Sequence, residues 1–322
     1  MAADYGICLG TVGWGLWHSA DSGTSWTRQR TPFPLNSRIQ ALVVHPTQPK
    51  TIFAGGDTGL FVSHNSGARW ERIGTQGDLP TIWSLAVDPV DPDIIFAGTR
   101  PAAVYRSKDG GRHWEKLAID IVRECAIGVP FVTALAVDPD DHRIVWAGVE
   151  IDGVFRSMDG GDTWTPLRAG LNDLDIHDMA IAPTRPKRLF VSTQNEVFMS
   201  DDLGDSFHAL GTKDKWPLPY ARGMAVRPDA SGTLYVGCGE STTGERGFVV
   251  RTRDFGQRWE TLPLPTPANA TVWGLAAHPA DPDRILAYTL FGEVFVTEDA
   301  GSSWRKIARE FGEIRAAVWV PN

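Results

Sequence analysis

The chain has 322 residues, with 31 Lys+Arg against 39 Asp+Glu and a formal net charge of −8. At 42% hydrophobic and 22% charged it has the composition of a soluble globular protein, long enough to bury a sizeable core. Its acidic balance and lack of a basic run argue against a nucleic-acid partner, and no stretch approaches the ~18 apolar residues of a membrane span.

From the N-terminus, MAADYGICLGTVGWGLW carries no Lys or Arg ahead of its apolar stretch and reads poorly as a signal peptide. Cys8, Cys125 and Cys238 are odd in number and widely spaced, as free thiols in a reducing compartment would be. The expected location is the cytoplasm. The segment Tyr5–Thr11 (YGICLGT) reads as a second strand with no first strand before it. The first of seven similar segments follows, Ser19–Trp26 (SADSGTSW).

Further along the chain the same pattern returns at Ser63–Trp70, Ser107–Trp114, Ser157–Trp164, Ser200–Phe207, Thr252–Trp259 and Thr297–Trp304. Successive final aromatics lie 44, 44, 50, 43, 52 and 45 residues apart, inside the range of propeller repeats. Between the segments the order is constant. A strand ending in Pro (ALVVHP, SLAVDP, ALAVDP) leads to a second (TIFAGG, IIFAGT, IVWAGV) and then a third (GLFVS, AVYRS, GVFRS). A fourth starts at the aromatic (WERI, WEKL, WTPL). Short β-branched and aromatic runs punctuated by Gly, Pro and Asp predict four-stranded antiparallel blades, and the breaks interrupt any 3.6-residue period. The chain ends with an unpaired first strand, residues 313–320. Pairing it with the N-terminal strands closes a seven-bladed all-β propeller as one domain, residues 1–322.

The pattern Ser/Thr-x-Asp-x-Gly-x-Thr/Ser-Trp resembles the Asp box, or BNR repeat, of sialidase, xyloglucanase, sortilin and Ycf48-type propellers. Seven in-phase copies make the resemblance specific for fold, while the functions it spans are unrelated. The Asp residues stand one per blade and cannot converge, so they read as turn formers rather than as a calcium or acid site. Asn65 for Asp and Phe207 for Trp keep the shape without the chemistry.

The resemblance implies that ligands bind on the face opposite the boxes, around the central axis. Residues leading into the first strands there fall in register as Gln40, Trp83, Thr133, His177, Arg222, Trp273 and Arg315. Unlike the core positions two residues later, these seven differ sharply from one another. Trp83 and Trp273 are expected as stacking walls, Arg222 and Arg315 as anion clamps and His177 as an acid/base group. Loops joining second to third strands add Asp57, Glu150, Asp152, Glu196, Glu240, Glu245 and Glu293, with Arg100 and Arg246 beside them. Long spacings place extra chain at Ile119–Pro130 (with Arg123, Glu124 and Cys125), at Lys213–Pro219 (with Trp216) and at Glu240–Gly247, where specificity loops are expected.

Catalytic candidates are therefore His177, Glu240 and Tyr220. Ligand-binding candidates are Gln40, Trp83, Thr133, Arg222, Trp273, Arg315, Glu150 and Arg100. The sialidase resemblance implies three converging arginines, a Tyr–Glu pair and usually six blades, and a xyloglucan cleft implies two propellers. Neither pattern is complete here. No metal or cofactor is expected, because only His177 of eight histidines lies in the ring, and His45 and His278 occupy turn slots filled elsewhere by Asp88 and Asp138. Gly10, Gly13 and Gly15 precede no helix and make no phosphate loop. The expected function is binding of a small polar or anionic ligand, a sugar or organic acid, with hydrolase or lyase chemistry left open. The alternative is a non-catalytic scaffold that holds a protein partner.

Overall fold

The computed structural model describes residues 5–74, 77–124 and 128–321. It contains seven four-stranded antiparallel sheets and one short helix, Thr212–Lys215. This is the seven-bladed β-propeller the repeat predicts. The first blade runs Ile314–Pro321, Tyr5–Thr11, Gly15–Ser19, Thr27–Gln29, so the C-terminal strand completes the N-terminal sheet. Trp319 meets Tyr5 edge to face across that pairing, with ring centroids 4.8 Å apart and both rings buried.

The chain divides into two compact units, residues 1–166 with 318–322, and residues 167–317. In the first unit, the second blade starts at Ile39–Val44, the third at Thr81–Val87 and the fourth at Val132–Val137. In the other unit, the fifth starts at Asp178–Ala182, the sixth at Tyr220–Val226 and the seventh at Val272–Ala277. Second strands such as Ile52–Gly56, Val145–Val149, Leu234–Gly239 and Ile285–Thr289 are buried at every residue, which explains their unbroken apolar sequences. Among the described residues, no helix is long and apolar enough to cross a membrane.

Each repeated segment folds as the same turn. In the first, Asp21 Oδ1 accepts from the Ser25 N–H (2.8 Å) and from Ser19 Oγ (2.8 Å), while Oδ2 accepts from Ser25 Oγ (2.6 Å). Ser19 Oγ in turn accepts the Gly23 N–H at 2.9 Å. The seven turn glycines all have φ between 85° and 100°, the left-handed region that a side chain disfavours. The residue before each is left-handed too, although it is Ser, Leu, Phe or Ala in five of the seven. Hydrogen bonds to Thr163 and Ser157 hold Asp159 down at about 2, so these carboxylates serve their own turns. Trp26, Trp70, Trp114 and Trp164 donate their indole N–H to the turn glycine's carbonyl at 2.9–3.0 Å. Trp259 and Trp304 leave that N–H buried and without a partner among the described residues, and Phe207 has none to give.

The proline-turn slots also behave as expected. Asp88 Oδ1 accepts the N–H groups of Val90 and Asp91, Asp138 Oδ1 those of Asp140 and Asp141, and the Nδ1 of His45 and His278 takes the same role. Both of those Nδ1 atoms are therefore acceptors engaged by backbone.

Candidate functional site

Five of the seven residues picked out by register share a backbone feature. Gln40, Trp83, Thr133, Arg222 with Gly223, and Trp273 sit at β-bulges, where the first strand shifts register against the second. A bulge residue has no ladder partner and its side chain is re-aimed. Periodic pairing therefore breaks at the position where these side chains diverge.

In the 167–317 unit, five of the candidates come together: Arg222, Trp273, Arg315, His177 and Tyr220. Trp273 is only 8% exposed, and the guanidinium of Arg222 lies 3.9 Å from its ring centre. Arg315 lies 4.5 Å from the same ring and is ion-paired with Glu313. Arg222 is half-buried, yet its guanidinium makes no hydrogen bond or ion pair with the described residues. Burial pulls its pKa down, and Arg315 adds to that, while Tyr220, Asp175 and Asp178 act the other way. Trp273 differs here from its expected role: its faces meet guanidiniums, so it supports the arginines instead of offering an open wall.

His177 is buried beside this cluster. Its Nδ1 donates to the Ala221 carbonyl at 2.7 Å, and its Nε2 lies 3.4 Å from Asp175 Oδ2. Burial, then Arg222, lowers its pKa against the opposing effect of Asp175. Burial opposes ionisation of Asp175, but His177 and Arg222 together lower its pKa, and its Oδ1 is buried without a hydrogen-bond partner among the described residues. Sequence reasoning missed Asp175, which precedes the strand and lies outside the register. Tyr220 packs on His177 with ring centroids 5.0 Å apart, and its hydroxyl pairs with Thr242 Oγ1 at 2.9 Å.

Asp178 and Tyr288 were also missed. Asp178 accepts the N–H groups of Met179 and Met224, both at 2.8 Å, and desolvation raises its carboxyl to about 6. Tyr288 is buried and donates to the Arg315 carbonyl at 2.9 Å. Two glycines allow this close packing. A Cβ on Gly274 would lie 2.2 Å from the Tyr288 hydroxyl, and one on Gly223 would lie 2.5 Å from Gly274 Cα.

Glu240 is exposed and tied to its own loop, accepting from Arg246 Nε at 2.7 Å and from the Glu245 N–H at 3.0 Å. Arg246 thereby lowers its pKa. Other acids of the same loop class anchor incoming chain. Asp57 accepts the Arg38 N–H, Asp152 the Val122 N–H, Glu196 the Thr212 N–H and Glu293 the Asn269 N–H. Trp216 was expected on a specificity loop. It is instead buried in the core against Trp259, with centroids 4.8 Å apart, because the short helix folds that insertion inward. Cys125 lies outside the described residues, and the rest of its loop includes exposed Arg123 and Glu124.

The 1–166 unit holds the remaining ring candidates. Trp83 and Phe131 pack with centroids 4.1 Å apart, and exposed Arg100 lies 5.9 and 5.5 Å from their centres. Thr133 Oγ1 donates to the Gly148 carbonyl at 3.1 Å. Gln40 is 9% exposed and its Oε1 is buried without a partner. Glu150, whose N–H bonds to the Phe131 carbonyl at 3.0 Å, follows the strand Val145–Val149. Among the described residues, no group of three or more His, Cys, Asp or Glu is arranged to hold a metal. Cys8 and Cys238 are free and buried.

No family model matches the chain. Among curated proteins, 111 residues are 28% identical to a probable oligoxyloglucan-reducing end-specific xyloglucanase of Neosartorya fischeri, covering 31% of this chain and 14% of that protein. Among solved structures, the GH74 xyloglucanase of Xanthomonas campestris superposes with a TM-score of 0.65 at 21% identity, over 94% of this chain and 46% of that one. YCF48 bound to a D1 peptide superposes with a TM-score of 0.62 at 16% identity, over 88% of this chain and 85% of that one. The chain thus spans less than half the length of the xyloglucanases it matches. Both kinds of propeller were named by the repeat motif, and at these identities what the chain shares with them is the seven-bladed fold.

Proposed function

We propose that residues 1–322 form one propeller domain that binds a small polar ligand, a sugar or organic acid, at the Arg222 cluster. The observation that carries this reading is the Arg222 guanidinium, stacked on Trp273, half-buried and without an acceptor among the described residues, with an Asp175 oxygen of the same cluster likewise without a donor among them. A desolvated cation with an unused donor fork is costly to keep empty, and a ligand that supplies acceptors relieves that cost. Binding is favoured over turnover, because the proton-transfer candidates are otherwise engaged. His177 spends one nitrogen on a carbonyl and turns the other toward Asp175, Tyr220 is bonded to Thr242, and Glu240 is paired with Arg246.

A thermal-shift screen of wild type and Arg222→Gln against monosaccharides, polyols, sugar acids and small carboxylates tests the proposal, since a ligand of the native state raises its melting temperature. A hit in wild type that the variant loses supports it. Hits that the variant keeps, or no hit at all, overturn it.

The second reading is a scaffold for a protein partner. This chain covers 85% of YCF48, a propeller solved with a bound peptide, and 46% of the Xanthomonas campestris xyloglucanase. Leu35 and Trp14, 84% and 55% exposed, are apolar side chains such a partner would cover. Recovery of one stoichiometric partner by both wild type and Arg222→Gln, but not by Leu35→Asp, is the expected outcome. Binding unchanged in Leu35→Asp contradicts this choice of surface.

A further inference from the structure

The charges around Arg222 narrow the ligand further, given the reading of this cluster as a ligand site. Two carboxylates stand near Arg222, yet neither pairs with it. Asp178 spends both oxygens on the N–H groups of Met179 and Met224, and Asp175 turns Oδ2 toward His177. The guanidinium fork is thus withheld from internal acids while their charges keep it cationic. A second guanidinium, Arg315, lies against the same indole but is already paired with Glu313, so Arg222 is the one of the two that keeps its donors unspent among the described residues. An Arg with unspent donors is satisfied by an anion, and its planar fork matches a carboxylate's two oxygens. A dianionic phosphate would meet the nearby Asp175 and Asp178 charges, which leaves a monoanion as the better fit. The other unsatisfied group is an acceptor, Asp175 Oδ1, and it calls for a donor on the ligand.

We infer that the site takes a monoanionic carboxylate bearing a hydroxyl on the adjacent carbon, with the carboxylate on the Arg222 fork and the hydroxyl donating to Asp175 Oδ1. Aldonic acids and small 2-hydroxy acids belong to this class.

Two matched pairs of probes isolate the two contacts by titration calorimetry on the full chain. D-Gluconate and D-glucitol differ in the carboxylate, and lactate and propionate differ in the hydroxyl. Wild type is expected to bind gluconate at least about tenfold tighter than glucitol, as for an ion-paired carboxylate, and lactate about fivefold tighter than propionate, as for one hydrogen bond to a carboxylate. Arg222→Gln is expected to abolish the first preference and Asp175→Asn the second, with Arg222→Lys keeping part of the first. Equal affinity for gluconate and glucitol, or inorganic phosphate binding as tightly as gluconate, overturns the carboxylate assignment while leaving a polar-ligand site standing. Equal affinity for lactate and propionate overturns the hydroxyl contact. Absence of binding by every probe and by the broader screen overturns the site itself. Because both pairs are compared on wild type, the result does not depend on a variant folding.

Discussion

Arg222 and Trp273 stand at the bulges of neighbouring blades, and the guanidinium of one covers the indole of the other at 3.9 Å. Arg222 is therefore positioned by an aromatic face rather than by an acid, which leaves its N–H groups available. Replacing it with Gln should weaken the best ligand by roughly 10- to 100-fold, or about 1.5–3 kcal/mol, while moving the melting temperature little. Calorimetric affinity set beside a thermal melt of the same variant checks this. A large loss of stability with unchanged affinity would make Arg222 a structural residue.

Asp178 and His177 should give opposite pH signatures. Asp178 titrates at about 6 when folded against ~3.9 unfolded, so the folded state binds its proton more tightly. Its contribution is fully present below pH ~4 and is lost as pH rises toward 6, by roughly 2–3 kcal/mol. His177, whose folded pKa is lowered below the unfolded ~6.5, does the reverse: it costs stability as pH falls below that value. The groups facing this pair are Asp175, Arg222, Arg315, Tyr220 and Tyr288, so neither slope appears cleanly in wild type. Each is read as a difference. Melting of Asp178→Asn should fall less than wild type between pH 4 and 6, and His177→Gln should lose less on acidification from pH 7 to 5.5. Parallel curves would remove both assignments.

Closure of the first blade by the C-terminal strand makes Trp319 a keystone of the sheet. Trp319→Ala should cost about 3–5 kcal/mol, as for other buried aromatics, and removal of residues 314–322 should cost more because it exposes the edge of Tyr5–Thr11. Chemical denaturation measures both. Midpoints unchanged from wild type would contradict the closing role.

The repeated turns should tolerate loss of charge better than loss of shape. Asn65 already fills the acid's place, accepting the Arg69 N–H at 2.8 Å. Asp159→Asn is therefore expected to cost under about 0.5 kcal/mol and Asp159→Ala about 1–2 kcal/mol, the range for a lost cap. Equal losses in denaturant melts would mean that charge, not acceptor geometry, holds the turn.

Burial pushes the Cys8 thiol far above its ordinary range and Cys238 up to about 12. Neither should react with a thiol reagent in the native protein, and both should react once it unfolds. Rapid native labelling of either, located by mass spectrometry, would show that its blade opens.

The fold was legible because it is written seven times. Each Ser/Thr, Asp and Gly of the repeated segment performs a local task that its own turn requires, so sequence spacing alone located the blades and the closing strand. Local tasks also made the ring positions visible: Gln40, Trp83, Thr133 and Trp273 broke the pattern because they are bulged out of the ladder. What the sequence could not show was orientation. Trp273 looked like a wall until two guanidiniums were found against it. Asp175 carried no register signal, because it lies on the approach to its strand, where one oxygen faces His177. Trp216 looked like part of an exposed insertion until the short helix turned it into the core. Distances between blades depend on tertiary packing, and no periodicity encodes them.

The most direct test of the Arg222 site is to watch it while ligand is added. In an NMR titration with D-gluconate, the Arg222 Nε–H and Trp273 indole N–H resonances, assigned with Arg222→Gln and Trp273→Phe, should shift together and saturate at one affinity, while the Trp83 indole stays in place. A saturable shift at Trp83 with none at Arg222 or Trp273, or no shift at any of them, would contradict the account.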